Sequence, residues 1–181
     1  MLEVAAMELD VAFLPRPGRS DVAVVIDVLR MTTTAATLLS RGVERLEIVA
    51  GTDPALARAA ETGALLFGER DGLPFPGFDG GNSPLEHLGN DYSGRVAILC
   101  TTNGSKAVEV VADADNVLLG AIVNAPAVAR LAVELARDRI TLVRGERAEY
   151  MGDEVLLVAG GPDTAAQSGE GGGTKLVDDG L

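Results

Sequence analysis

Tryptophan is absent from the 181 residues, and aromatic content is only 3%. The core must therefore be built from Val, Leu and Ala rather than from stacked rings. A single cysteine, Cys100, excludes a disulfide framework and any Cys-based zinc site. It closes an apolar run, so it reads as a buried, inert thiol. The lone histidine, His87, lies just after a helix-start signal and reads as structural rather than catalytic. Basic residues are also scarce: 15 Lys+Arg against 27 Asp+Glu give a net charge of -12. That excludes the basic footprint of nucleic-acid binding and repels anions, so a phosphate site would need a local cation. No apolar run reaches the length of a membrane span. The acidic start MLEVAAMELD reads as no signal peptide. A cytoplasmic protein with neither membrane nor nucleic-acid partners is the expectation.

What is present is ordinary for a soluble globular chain, with 47% hydrophobic and 23% charged residues. The length fits one α/β domain over 1–181. Its 160–181 stretch is Gly-rich and reads as a mobile or truncated tail.

Along the chain, Leu9 to Leu14 reads as a strand ending at Pro15, and Val22 onward as a buried strand. Thr32 to Ser40 then makes a short covered helix. Strands follow at Leu46–Ala50, Ala64–Phe67, Val96–Thr101, Asn116–Ile122 and Ile140–Val143. Between them, helices are expected at Asp53–Glu61, Lys106–Ala112 and Ala125–Ala136, the last with Asn124 as its cap. Ser83-Pro84-Leu85-Glu86 has the form of a capping box. Glu154 to Ala159 fits strand or helix. Alternation of this kind implies three-layer α/β/α packing around a mostly parallel or mixed sheet.

Polar residues collect where such strands end, the usual ligand side of an open α/β sheet. VAVVIDVLRMTTT delivers Asp27, Arg30, Thr32, Thr33 and Thr34 to a helix mouth, and the loop GERDGLPFPGFDGGNSP adds Glu69, Asp79, Asn82 and Ser83. Thr102, Asn103, Gly104, Ser105 and Lys106 follow the Val96 strand, and Asn124 follows the next. Two readings compete: an anion site at helix N-termini, or threonines that merely cap a helix while Asp27 pairs with Arg30. Carboxylates without a useful histidine suit a hard ion, and Mg²⁺ takes one or two carboxylates plus substrate phosphate.

The ordered blocks IDVLRMTTT, GERDG, PGFDGGNSP and TTNGS make the chain resemble the 2-phosphosulfolactate phosphatase family, from about Asp21 through Asn124. The resemblance implies a three-layer α/β/α fold. It also implies Mg²⁺-dependent removal of phosphate from a small phosphorylated acid, 2-phosphosulfolactate or a relative of it, on the route to coenzyme M. On that basis Asp27, Arg30, Glu69 and Asp79 are the expected catalytic residues, and Asp27, Glu69, Asp79 and Asp153 the expected metal ligands. Arg30 and Lys106, with N–H groups near Thr32–Thr34 and Asn103–Ser105, would hold phosphate or sulfonate oxygens. Thr102, Asn82, Ser83 and Asn124 would orient substrate or brace the loop. The resemblance leaves open both a phospho-aspartate and a metal-bound water, and it is compatible with a homo-oligomer. Past Ile140 it weakens: Arg144 stands at a small or Cys position, and Gly152 replaces a Glu before Asp153. The tail GGTKLVDDGL reads as the start of a longer segment. A non-catalytic, metabolite-binding relative is the alternative.

Overall fold

Aliphatic, β-branched runs bounded by Gly, Pro or Asp become strands along most of the chain. The computed structural model describes residues 7–145, so Asp153, the segment Glu154 to Ala159 and the 160–181 tail lie outside the described residues. The strands are β1 (Glu8–Ala12), β2 (Val22–Ile26), β3 (Val43–Ile48), β4 (Leu65–Gly68), β5 (Arg95–Cys100), β6 (Asn116–Gly120) and β7 (Arg139–Arg144). The helices are α1 (Met31–Ser40), α2 (Thr52–Thr62), α3 (Pro84–His87), α4 (Gly104–Val110) and α5 (Ala125–Leu135).

The fold is α/β, with parallel sheets flanked by helices in a three-layer α/β/α arrangement. The expected single sheet is divided in two. One sheet has the order β1-β7-β2-β6 and the other β3-β5-β4. Every pairing between these strands is parallel. The division follows from packing. One cluster takes Ala23 and Val25 from β2, Met31, Ala35 and Leu38 from α1, and Ala97 and Leu99 from β5. The apolar α1 therefore has sheet residues from both halves to bury against. A second cluster joins Val22 and Val24 to Ala132 of α5. A third joins Leu66, Ile98 and Cys100 to Ala55 of α2. Strands buried on both faces read as continuous aliphatic runs, which is why VAVVI carries no alternation.

Two local expectations are corrected. Ser83 stands at the N-cap of α3 but makes no side-chain cap bond; Glu86 instead accepts the Gly81 N–H, 2.8 Å away. Asn124 precedes α5, yet its Oδ1 accepts the Ala121 N–H and its Nδ2 donates to the Leu119 carbonyl. Both side chains close turns upstream of the helix they were expected to cap.

The end of the sheets opposite the strand carboxyl ends is tied by Asp21. Its Oδ2 accepts backbone N–H groups of Arg137, Asp138 and Arg139 at 2.9, 2.6 and 2.9 Å. The Asp138 N–H first, then those of Arg139 and Arg137, hold this carboxyl down at about 2.

Candidate active site at the seam between the sheets

Asp27 directly follows β2 and is 5% exposed. Its backbone is fixed by Thr32, one turn on. The Thr32 N–H and hydroxyl both donate to the Asp27 carbonyl, at 2.9 and 2.7 Å. The Asp27 N–H in turn donates to the same hydroxyl at 3.2 Å. Two glycines close around the side chain. A Cβ on Gly104, at the start of α4, would run into Asp27 Oδ2 and lie 2.8 Å from Met31. A Cβ on Gly145 would lie 2.7 Å from the Asp27 Cβ, and the Gly145 N–H donates to the Ile26 carbonyl at 2.8 Å. The carboxylate thus sits where β2 and β7 of one sheet meet the end of β5 from the other.

Glu69 follows β4 and is also buried, but its oxygens are engaged. Oε1 accepts the Thr102 N–H at 2.8 Å, and Oε2 accepts the Thr102 hydroxyl at 3.0 Å and the Gly72 N–H at 2.5 Å. The Thr102 hydroxyl oxygen accepts the Asp71 N–H at 2.7 Å. Glu69 and Thr102 therefore staple the end of β4 to the end of β5. They occupy three of the roughly four lone-pair positions on the carboxylate.

Asp79 does not reach this end. It is exposed, its Oδ2 accepts the Leu66 N–H at 2.8 Å and its own N–H donates to the Leu66 carbonyl at 2.7 Å. That places it three residues before Glu69 along the strand, about 10 Å away at the usual rise. Asp79 pins the long loop to the edge of β4. Among the described residues no group of three or more His, Cys, Asp or Glu side chains gathers where an ion could sit. The expected trio of Asp27, Glu69 and Asp79 is not assembled.

The threonines are likewise inward-looking. Thr32 serves Asp27, Thr33 donates to the Val28 carbonyl at 2.7 Å, and Thr34 donates to the Asn82 carbonyl at 3.0 Å. With all three hydroxyl protons used by backbone, their role is to shape the junction. Thr101 and Ser105 are paired in the same way. The Thr101 N–H donates to Ser105 Oγ at 2.9 Å and the Ser105 N–H to Thr101 Oγ1 at 3.1 Å. Asn103 occupies the N-cap of α4 without a side-chain cap bond.

The cations differ from these. Arg30 is half-buried at the N-cap of α1, and Lys106 is exposed on the first turn of α4. Neither side chain forms an ion pair or hydrogen bond with a described residue, so the alternative in which Asp27 pairs with Arg30 is not seen among the described residues.

Burial pushes the Cys100 thiol up, in keeping with an inert role. His87 is 1% exposed and holds loop groups, as described below. Gly145 was not singled out in the sequence; a glycine directly after a strand was the only signal for it.

The chain matches the family model for 2-phosphosulpholactate phosphatase over residues 12–165. It belongs to that family. Among similar proteins, a probable 2-phosphosulfolactate phosphatase of Deinococcus radiodurans is 49% identical over 156 residues, 85% of this chain and 65% of the relative. Proteins of the same name from Carboxydothermus hydrogenoformans and Thermus thermophilus are 40% and 43% identical. They cover 80% and 77% of this chain, and 61% and 59% of their own lengths. This family member thus spans about three-fifths to two-thirds of those relatives.

Proposed function

We propose that this chain forms the phosphate-handling core of a Mg²⁺-dependent phosphatase. It would hydrolyse a small phosphomonoester, 2-phosphosulfolactate or a related phosphorylated acid, to the hydroxy acid and inorganic phosphate. With 2-phosphosulfolactate as substrate, the step would belong to coenzyme M synthesis in the cytoplasm. The observation that carries this reading is a buried carboxylate, Asp27, fixed at a strand end within a turn of Arg30, an arginine whose side chain has no partner among the described residues.

The donor chemistry fits the ion. Hard oxygen ligands suit Mg²⁺, which needs only one or two carboxylates beside substrate phosphate. The separation of Asp79 from the strand ends is therefore no obstacle. Asp27 would hold the ion, with Asp153 as the second carboxylate. A bound Mg²⁺ would supply positive charge for the phosphoryl oxygens.

Magnitudes explain why charged groups are required. Phosphate monoester hydrolysis calls for accelerations up to about 10²¹, whereas a helix terminus stabilises an anion by only about 0.3–2 kcal/mol. Arg30 and Lys106 would hold the phosphate and offset the field of a chain with a net charge of -12. Thr32, Gly104 and Gly145 would keep Asp27 in one orientation. Glu69 and Thr102 would hold the two strand ends at fixed separation.

The test is phosphate release from a panel of small phosphomonoesters, with Mg²⁺ and with EDTA. Turnover that requires Mg²⁺ and disappears in Asp27→Asn, with far-UV circular dichroism unchanged, is expected. A folded protein that binds Mg²⁺ yet releases nothing from any ester overturns the reading.

A further inference from the structure

Beside the proposed site, the segment Gly80 to Asn82 is held at four backbone points. The Gly80 carbonyl accepts the Gly68 N–H at 3.1 Å. The Gly81 N–H donates to Glu86 at 2.8 Å, and the Gly81 carbonyl lies 3.1 Å from His87 Nε2. The Asn82 carbonyl accepts the Thr34 hydroxyl. A Cβ on Gly81 would lie 2.7 Å from a Glu86 oxygen, so any larger residue there would push the Glu86 carboxylate aside.

The His87 ring is set from behind. A carbonyl can only accept, so the proton is assigned to Nε2, and Nδ1 accepts from the Tyr92 hydroxyl at 2.9 Å. That hydroxyl accepts from Asn90 Nδ2 at 2.9 Å. The ring also packs edge-on to Phe67, with centroids 4.8 Å apart.

This clamp presents one side chain without a hydrogen-bond partner among the described residues. Asn82 is 6% exposed, and its buried Oδ1 has no hydrogen-bond partner among the described residues; its Nδ2 makes no bond there either. Leaving a buried amide unmet costs stability, which points to a ligand that completes it. The position fits. Phe67 bridges Gly80 in parallel, so Asn82 falls level with Glu69 at the carboxyl end of β4. Thr34 ties it to the first turn of α1, whose N-cap is Arg30.

We propose that the bound substrate completes the Asn82 carboxamide, its Nδ2 donating to an anionic oxygen while its Oδ1 accepts a hydroxyl of the ligand, such as the P–OH of hydrogenphosphate, and that His87, with Glu86, is a positioning residue that aims it. This rests on the phosphatase reading above and adds the residue that reads the anion beside Arg30.

Inorganic phosphate, the product of the proposed reaction, is the probe. It is titrated into the ¹⁵N-labelled full chain, and the Asn82 side-chain amide pair is identified by its loss in Asn82→Ala. Phosphate is expected to shift that pair. Asn82→Ala should weaken phosphate binding about tenfold or more, the scale of one hydrogen bond to a charged group. His87→Phe, which keeps a ring against Phe67, should weaken it similarly, with no further loss in the double variant. Glu86→Ala, at an exposed position, repeats the test should His87→Phe fail to fold. Additive losses, or clamp variants that leave phosphate affinity unchanged, overturn the inference. Shifts elsewhere with the Asn82 pair unmoved sink it alone. No phosphate-induced change anywhere in the spectrum sinks the phosphatase reading as well.

Discussion

At the scale of single residues, the site depends as much on missing side chains as on charged ones. Gly104 does not occupy a left-handed conformation; its constraint is purely the Asp27 carboxylate and Met31 against it. Gly104→Ala should therefore fold while displacing Asp27, lowering turnover by a factor on the order of 10², the usual cost of an ångström of misplacement. Phosphate-release kinetics on that variant would check it. Thr32→Val keeps the shape but removes the hydroxyl that serves both Asp27 backbone groups. A loss of about 1–3 kcal/mol in urea unfolding is expected, as for a buried polar group left unmet. Much of this is legible in the sequence: one strand-to-helix run carries Asp27, Arg30 and the threonines. What the run could not reveal was where each hydroxyl proton goes. A threonine shows a donor in the sequence, but whether a ligand or a carbonyl accepts it depends on backbone brought in by the fold, as with Thr34 and Asn82, 48 residues apart.

Elements show the same division. Runs such as VAVVI and RVAILC announced their strands because burial on both faces leaves them uniformly aliphatic. The starts of α3 and α5 fall where the sequence places them; what differs is the side-chain bonding, because Glu86 and Asn124 can bond either into the helix or back toward the preceding strand. The level of Asp79 is not legible in the sequence, because its bond to the edge of β4 lies inside a long loop with no periodicity to fix it. One turn has a pH signature. The Asp21 carboxyl is held at about 2 against an ordinary 3.8. A depressed folded value means that its contribution is fully present above pH 4 and is lost as the pH falls toward 2. Asp21→Ala should melt lower than the parent at pH 5–6, with the gap closing by pH 2. Thermal unfolding across that range, followed by circular dichroism, is the measurement.

For the molecule as a whole, α1 is the shared load between the sheets. Leu38 is fully buried in the cluster that also holds Val25 and Leu99. Leu38→Ala should cost about 2–5 kcal/mol. Because the cluster spans both sheets, far-UV circular dichroism and tyrosine fluorescence should shift together in one transition. Separate transitions would show that the two sheets unfold independently. The parallel alternation was plain in the sequence; the split into two sheets was not, since strand order arises from contacts between distant segments.

The placement of Asp27 at a seam has a mechanical meaning. A ligand seated there would touch backbone from both halves of the molecule at once, as a rivet does two plates. Binding would be read as stiffening of the whole chain rather than of one loop. At a hundred times its dissociation constant, such a ligand adds about 2.7 kcal/mol to stability, so Mg²⁺ with phosphate should raise the melting temperature. Asp27→Asn, by removing the rivet's seat, should cancel that rise.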